Sequence, residues 1–324
     1  MHRAAETVSV IIPVRNGLPF LKECLQSVAR QTWGFIEVIV VDDGSTDGTA
    51  EWIQNCGYPN VCVIRGAGVG SCAARNAGLA ASSGRFVQFL DADDFLSHDK
   101  LELQVTQLLS CQHPELSISY SRLIQFRDGT DPTQGEPWHV EDREFARPLD
   151  LLAEVLATPR FIQTGQWLVP RSLALSAGPW DASLRADQDG EFFSRILAKA
   201  ELCVACPEAA AFYRRCYTGT QISAGKTQDH FTSRMQALDR KLLLVRRIAD
   251  EQQMRKIISR QCAQLAFTSY PCNVPVTRSC LALLKAYGVE FVPEFPTPRL
   301  RLISKILGWR VARYCSYLKH RGQG

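Results

Sequence analysis

The chain has 324 residues, of which 46% are hydrophobic and 22% are charged, proportions that are typical of a globular protein and exclude a disordered or fibrous chain. Lys and Arg number 37 against 33 Asp and Glu, a net charge of +4 that is too small to indicate a nucleic-acid-binding protein. No apolar run approaches the roughly 20 residues of a membrane-spanning helix, which excludes a bilayer-spanning protein but not one that rests on a membrane.

Strand and helix patterns alternate in the first third of the chain. β-branched apolar runs predict strands at 8–14, 36–41, 61–64 and 86–90. Helical spacing and capping residues predict helices at 18–30, 46–55 and 71–81. Because strands this apolar need cover on both faces, we predict an α/β fold with a mostly parallel sheet flanked by helices.

Acidic clusters follow the second and fourth predicted strands. Asp42 and Asp43 come after the second strand, and Asp91, Asp93 and Asp94 come after the fourth. Open α/β sheets bind ligands beyond the carboxyl ends of their strands, so both clusters are expected at one cleft. Carboxylates this close repel one another, so the second cluster indicates a divalent-metal site, with a surface acidic turn as the alternative. The first cluster suits a nucleobase, because a carboxylate can accept hydrogen bonds from the N–H groups of the base. The alternative for this turn is simple capping of the next helix by Ser45 or Thr46, which does not explain the two aspartates.

Glycines at 66, 68 and 70 predict a flexible loop. They do not predict a dinucleotide-binding turn, because they follow the third predicted strand outside the required βαβ context. The chain has no Walker lysine motif, which argues against a P-loop nucleotide hydrolase.

The middle of the chain mixes both kinds of element. Strands are predicted at 117–126, 161–169, 203–206 and 209–213, and helices at 149–157 and 187–199. Cys203 and Cys206 form a CxxC with no second pair at zinc-binding spacing, so we predict two half-buried cysteines in a strand. With a polar stretch at residues 1–7, the twelve cysteines are expected to be reduced in the cytoplasm. After residue 221 the chain becomes helical and basic.

Four motifs in order resemble the signatures of glycosyltransferase family 2, the GT-A nucleotide-sugar transferases. They are VSVIIPVRN at 8–16, VVDDGSTDGT at 40–49, ARNAGL at 74–79 and FLDADD at 89–94. The resemblance covers residues 8 to about 95 strongly and continues more weakly to about 215. It implies a Rossmann-like GT-A catalytic domain at 1–225, with a nucleotide-binding half at about 1–115 and an acceptor and base half at about 116–225. A helical basic C-terminal extension would occupy 226–324.

The resemblance also assigns roles to residues of the first half. It implies that Asp43, with Asp42 and Pro13 beside it, binds the nucleobase. Family members usually have an aromatic residue where this chain has Arg15, whose guanidinium plane can also stack on a base, so the preferred base stays open.

The third and fourth motifs would serve the diphosphate and the metal. The resemblance places Arg75 near the diphosphate and Asp91 near the ribose or the hydrated metal. It makes Asp93 the direct ligand of Mn²⁺ or Mg²⁺.

Acids at the start of the helix predicted at 187–199 resemble the segment that carries the general base of the family. Asp189 falls at the base position, with Asp187 or Glu191 as the alternatives. Gln188 replaces the usual glutamate. Acids in a first helical turn also stabilise the helix by themselves, which is the competing interpretation.

Two basic segments have two interpretations each. The stretch at 213–223, which includes Arg214 and Arg215, either orders over the donor with an arginine at the diphosphate or is an exposed basic loop. Residues 298–324 hold seven Lys and Arg and no acid. They predict an amphipathic helix on an anionic membrane surface or a helix packed on the protein with a solvated basic face.

We therefore predict an inverting, metal-dependent glycosyltransferase. It would move a sugar from a nucleotide-diphosphate donor, with UDP-sugars expected first, to a glycan or lipid-linked acceptor for cell-surface polysaccharide. We expect it in the cytoplasm on the inner face of the membrane, with no nucleic-acid partner. One alternative is a sugar-phosphate nucleotidyltransferase, for which residues 15–19 are too short an activation loop. The other is a non-catalytic GT-A-like binding module.

Overall fold

The chain forms two compact units in a computed structural model that describes residues 6–58, 60–138, 143–215 and 225–321. Unit 1 comprises Met1–Leu151, Arg160–Ala182 and Gln188–Thr220. Unit 2 comprises Leu152–Pro159, Ser183–Asp187 and Gln221–Gly324. The predicted domain boundary at residue 225 stays a prediction.

Unit 1 is built on a mixed sheet. Its strands are β1 (Val8–Val14), β2 (Ile36–Asp42), β3 (Val61–Arg65), β4 (Phe86–Phe89), β5 (Phe95–Leu96), β6 (Ser117–Arg127), β7 (Glu136–Trp138), β8 (Trp167–Pro170) and β9 (Leu202–Arg215). They are ordered β3-β2-β1-β4-β8-β6-β9-β5, with β7 beside β6. The first four are parallel, whereas β8 is antiparallel to both of its neighbours.

Helices connect the strands of unit 1, and other helices make up unit 2. The earlier helices are α1 (Leu18–Ala29), α2 (Thr49–Asn55), α3 (Ser71–Ala81), α4 (Lys100–Ser110), α5 (Pro148–Ala157), α6 (Arg171–Ser176) and α7 (Gln188–Leu197). The later helices are α8 (Gln228–Val245), α9 (Glu251–Ser269), α10 (Val274–Ala286), α11 (Pro298–Leu307) and α12 (Trp309–Arg321).

The predicted α/β fold is confirmed, and β1 shows why the pattern predicted it. All seven residues of β1 are buried, because β2 and β4 flank it and α1 and α3 lie against the sheet. Such burial requires a continuous apolar strand. α3 packs so closely that a Cβ on Gly78 would lie 2.4 Å from Ile11 Cγ2.

The structure changes three predicted elements in unit 1. The strands predicted at 203–206 and 209–213 are one strand, β9, whose pairing with β6 shifts between Ser121 and Arg122. The shift accommodates Pro207, which has no N–H to donate to the ladder. Cys203 and Cys206 are buried in β9. The segment at 161–169 becomes a strand only from Trp167, and α2 begins at Thr49 because Gly48 has a φ of 83°.

The amphipathic segment predicted at 298–324 is two helices within the described residues. α11 ends at Gly308, whose φ is 84°, a value that suits glycine and interrupts an α-helix. The predicted single helix is therefore wrong, and residues 322–324 lie outside the described part of the chain.

Candidate functional site

The carboxyl ends of β1, β2 and β4 meet at one edge of the sheet. β1 lies between the other two strands, with Val14 paired to Asp42 and Ile11 paired to Phe89. The turns after β1 and β4 also touch, since a Cβ on Gly17 would lie 3.8 Å from that of Ala92. The predicted site residues of the first, second and fourth motifs therefore share this edge.

Asn16 ties the first motif to the second. Its Oδ1 accepts a hydrogen bond from Thr46 N at 2.7 Å, and its own N–H donates to Ser45 Oγ at 2.9 Å. Asn16 has a φ of 52°, a left-handed conformation that asparagine tolerates better than most residues.

The residues predicted beside the nucleobase differ in exposure. Pro13 is buried in β1, and Arg15 is exposed. Asp42 is buried and accepts a hydrogen bond from Ser45 N at 3.0 Å. The side chain of Asp42 thus stabilises its own turn. The predicted capping of the next helix by Ser45 or Thr46 is wrong, because the N-cap of α2 is Gly48, which has no side chain to cap that helix.

Asp43 fastens the glycine-rich loop after β3. Its Oδ1 accepts from Gly68 N at 2.8 Å and Val69 N at 3.2 Å, and its Oδ2 accepts from Gly70 N at 2.7 Å. A Cβ on Gly66 would lie 2.8 Å from Asp43 Oδ1, so the loop approaches only because that residue is glycine. These contacts fasten the loop to Asp43, and its flexibility stays a prediction. The nucleobase role of Asp43 stays a prediction. It requires a carboxylate oxygen that already accepts a hydrogen bond from a backbone N–H to accept a second one from the base.

Arg75 and Asp91 form an ion pair at the end of β4. Arg75 N–H donates to Asp91 Oδ1 at 2.6 Å, and the guanidinium lies 4.6 Å from the centre of the Trp180 ring. Arg75 is 7% exposed. Burial disfavours its charge, but Asp91 outweighs that effect and raises the pKa of Arg75. Arg75 Nε is buried without a hydrogen-bond partner in the described residues.

Asp93 bears a carboxylate that suits a cation. Burial and then the charge of Asp91 raise its pKa to about 6. No hydrogen bond from another described residue reaches its carboxylate. Relief of this repulsion favours a bound cation.

The side chains available as metal ligands determine which type of cation this turn could bind. Within the described ranges, no group of three or more His, Cys, Asp or Glu side chains is arranged to hold a metal ion. Mg²⁺ sites commonly use one or two carboxylates and complete their shell with water and substrate phosphate oxygens. Asp93 and Asp91 therefore fit a hard divalent cation of the Mg²⁺ or Mn²⁺ type.

Asp94, Gln163 and Arg214 brace the acidic turn, and of these three residues Gln163 is the one that the sequence analysis did not predict. Asp94 is 2% exposed and accepts from Gln163 Nε2 at 2.7 Å and from Arg214 N at 2.9 Å. Burial, then Asp93 and Asp91, raise its pKa well above the ordinary value. Asp94 belongs to the fourth motif. Its partners Gln163 and Arg214 lie 69 and 120 residues away along the chain, so no local pattern predicts their contacts with Asp94.

Arg214, from the basic segment predicted at 213–223, lies buried in β9. Its Nε donates to Asp93 O at 2.9 Å, and its guanidinium pairs with Asp128 at 2.7 Å and with Glu23. It also lies 4.8 Å from the Phe126 ring centre. Two carboxylates and an aromatic face hold this buried cation in place. Arg215 is exposed, and residues 216–223 of the predicted segment lie outside the described part of the chain.

Asp189 stands in the first turn of α7, and its charge raises the pKa of Arg75. α7 starts beside α3, because Ser71 Oγ donates to Gln188 Oε1 at 3.1 Å. The start of α7, which carries Asp189, therefore lies beside the start of α3, the helix that carries Arg75.

The two alternative bases have other contacts. Glu191 is 2% exposed and forms a bidentate ion pair with Arg195, both contacts being 3.0 Å. Asp187, in unit 2, has a φ of 58° and pairs with Lys241. Glu191 therefore stabilises α7, and the assignment of the base to Asp189, with Asp187 or Glu191 as the alternatives, stays a prediction.

Comparison with known proteins agrees with these motifs. Residues 9–150 match the model of Glycosyl transferase family 2. The minor teichoic acid biosynthesis protein GgaA of Bacillus subtilis is 28% identical over 215 residues, 64% of this chain and 47% of the relative. The uncharacterized glycosyltransferase YibD of Escherichia coli is 35% identical over 113 residues, 34% of this chain and 32% of the relative. The chain thus spans less than half the length of these curated relatives.

Solved structures confirm the fold. S. aureus TarS 1-349 in complex with UDP-GlcNAc aligns over 97% of this chain and 92% of its own, with a TM-score of 0.62 and 16% identity. The mannosyltransferase PcManGT of Pyrobaculum calidifontis, in complex with GDP-Man and Mn²⁺, aligns over 96% and 86%, with a TM-score of 0.52 and 16% identity. At this identity the likeness shows the fold and not the substrate.

Proposed function

Because residues 9–150 belong to glycosyltransferase family 2, we propose that the protein transfers a sugar from a nucleotide-diphosphate donor to a hydroxyl group, with inversion at the anomeric carbon. The observation that carries this proposal is the group formed by Arg75, Asp91, Asp93 and Asp189 at the sheet edge. In the proposal this group would supply a cation for the phosphates, a carboxylate for the divalent cation and a carboxylate to accept the proton.

Each residue has a chemical task in the proposal. Arg75 would bind the diphosphate, because a guanidinium can donate two parallel hydrogen bonds to a phosphate. Asp91 would hold the Arg75 guanidinium in place for that contact. Asp93, with Asp91 beside it, would hold the divalent cation. When bound, such a cation stabilises the negative charge that grows on the leaving diphosphate. Asp189 would accept the proton of the acceptor hydroxyl as that oxygen attacks the opposite face of the sugar.

The donor and acceptor classes rest on the relatives. TarS was solved in complex with UDP-GlcNAc, which supports a UDP-sugar donor for this chain. GgaA is named for teichoic acid biosynthesis, which supports a hydroxyl of a surface glycan or of its lipid-linked precursor as the acceptor.

The location belongs to the same proposal. We place the protein in the cytoplasm, at the inner face of the membrane, with residues 298–324 as the contact. No helix in the described ranges is long and apolar enough to cross a bilayer. The support is the face that α11 and α12 leave uncovered, where Leu302, Ile306 and Leu318 are 50–70% exposed and only basic charges accompany them.

Nucleotide release from a panel of nucleotide sugars tests the activity. UDP-hexoses are incubated with the protein, with Mn²⁺ or Mg²⁺ and with EDTA, and released nucleotide diphosphate is measured. We expect release with a UDP-sugar and its loss in EDTA. Pyrophosphate formed instead from a nucleoside triphosphate and a sugar phosphate would identify a nucleotidyltransferase. Nucleotide binding without turnover in the presence of acceptor glycans would identify a binding module.

A further inference from the structure

The side-chain amide of Gln163 bridges two carboxylates of the acidic turn. Gln163 is 4% exposed. Its Nε2 donates to Asp94 Oδ2 at 2.7 Å and to Asp91 Oδ2 at 3.3 Å. Gln163 thus contacts Asp91 on the oxygen that Arg75 leaves free, since Arg75 binds Oδ1.

Neighbouring backbone groups determine which way this amide points. Gly165 N–H, which can only donate, lies 2.5 Å from Gln163 Oε1, so the oxygen must face Gly165 and the NH₂ must face the aspartates. The Gln163 N–H in turn donates to Gln166 Oε1 at 2.8 Å. A Cβ on Gly165 would lie 2.9 Å from Gln163 Oε1, so glycine permits this approach.

The Gln163 amide is uncharged, and this affects the charge of the acidic turn as much as its position affects the geometry. A Lys or Arg at this place would satisfy the same oxygens but would cancel the negative charge that attracts a divalent cation. Gln163 and the backbone N–H of Arg214 both hold Asp94 through uncharged donors, and the Arg214 guanidinium makes its ion pairs with Asp128 and Glu23. The turn therefore keeps its geometry and its negative charge together.

We propose that Gln163 is a positioning residue that holds Asp91 and Asp94 so that the acidic turn presents Asp91 and Asp93 to the divalent cation. The inference rests on the proposed function, because it assumes that this turn binds a cation for the donor nucleotide. Gln163 acts through the two aspartates.

A matched pair of variants separates positioning from general stability. Gln163→Met keeps the length of the side chain and removes both hydrogen bonds to the aspartates. Gln166→Met is the control, because Gln166 is 1% exposed and caps the same turn, but bonds to Gln163 N and Ser121 O rather than to an aspartate. Gln163→Asn is the second variant, because it keeps an amide that is one methylene too short to bridge both carboxylates.

The measurement is Mn²⁺ binding to the full chain without nucleotide, followed by electron paramagnetic resonance, at a temperature where thermal unfolding shows each variant to be folded. We expect Mn²⁺ affinity to fall roughly tenfold in Gln163→Met and Gln163→Asn, the usual effect of losing a hydrogen bond to a charged group. Gln166→Met should bind Mn²⁺ as the wild type does. Half-maximal UDP binding should require correspondingly more Mn²⁺ in the two Gln163 variants.

Either of two results with the variants would overturn the inference. One is unchanged Mn²⁺ affinity in both Gln163 variants, and the other is an equal loss in Gln166→Met. A wild-type protein that turns over a nucleotide sugar without binding Mn²⁺ would also overturn it and would leave the transferase activity standing. A wild type that binds Mn²⁺ with the expected differences but releases no nucleotide from any sugar donor would support the role of Gln163 and count against the proposed function.

Discussion

Asp91, Asp93 and Asp94 place three carboxylates within four residues, and the protein neutralises them unequally. Arg75 pairs with Asp91, neutral donors hold Asp94, and Asp93 is left to repulsion and burial. Such an imbalance is expected where a ligand completes the charge pattern. The burial of Asp94 also shows that this turn is not simply an exposed one, and its role as a metal site stays a prediction.

Asp93→Ala is expected to abolish transfer and metal-dependent binding of the donor nucleotide, because it removes the proposed direct ligand. Calorimetric titration of UDP with and without Mn²⁺ measures the binding. Asp99→Ala, which changes a carboxylate outside the turn, is the control. Near-normal turnover of Asp93→Ala with Mn²⁺ or Mg²⁺ would contradict the assignment.

Asp189→Asn is expected to lower turnover by about 10²- to 10⁴-fold, the usual contribution of a general base, and to leave nucleotide affinity almost unchanged. Steady-state kinetics with a fixed donor and acceptor measures this effect. Glu191→Gln is the comparison, because it weakens the buried pair with Arg195 and should lower the melting temperature. If Asp189→Asn loses nucleotide binding in the same proportion as turnover, Asp189 has a structural role.

At the scale of the elements, α12 shows that the two interpretations of the basic segment concern different faces. Ala312 is fully buried, Trp309 lies 4.9 Å from the Phe291 ring centre, and Arg313 donates to Phe267 O at 2.9 Å. That face packs on unit 2. Val311 and Tyr314, at helical spacing with Leu318, are 41% and 47% exposed. The second face remains available for a membrane, and that contact stays a prediction.

Replacing Leu302 and Ile306 together by Ser is expected to reduce binding to anionic vesicles, because these exposed side chains of α11 would enter the interface. Flotation with phosphatidylglycerol-containing vesicles at low salt measures it. Binding of the wild type should weaken as salt shortens the Debye length. Leu243→Ser, at a site on α8 that is 59% exposed, is the control. Wild-type protein that does not float, or equal loss in the control, would count against the membrane contact.

At the scale of the whole molecule, the acidic turn links folding stability to pH. Burial and neighbouring charge raise the pKa of Asp93 to about 6 and that of Asp94 well above its ordinary value. Between about pH 4 and pH 6 the folded state therefore binds more protons than the unfolded chain. As the pH rises through that range, the free energy of unfolding of the cation-free protein falls. A bound cation offsets this loss of folding stability at pH values where the carboxylates are ionised.

Mn²⁺ is therefore expected to raise the melting temperature more at pH 7.5 than at pH 5, where protons compete for Asp93. Differential scanning fluorimetry at both pH values, with Ca²⁺ and Mg²⁺ for comparison, measures the effect. The Asp93→Ala variant should lose the difference between the two pH values. A shift that is equal at both pH values, or that persists in the variant, would place the Mn²⁺ elsewhere.

The parallel half of the sheet and the position of its acids were determined by the sequence alone. β1 and α3 have the predicted bounds, because burial on both faces permits only a continuous apolar strand and a small-residue helix packed closely on it. Asp43, Asp91 and Asp93 were placed correctly at one edge, since the carboxyl ends of neighbouring parallel strands always share an edge. These are local patterns joined by a general rule of topology.

What only the tertiary structure decided is how those acids are held. Gln163 and Arg214 reach Asp94 across 69 and 120 residues, and Arg195 pairs with Glu191 inside α7. The packed and exposed faces of α12 were likewise indistinguishable by periodicity, because both suit the same apolar spacing. Hydrogen bonds and ion pairs between distant segments leave no periodic trace in a sequence, so their partners appear only when the chain is folded.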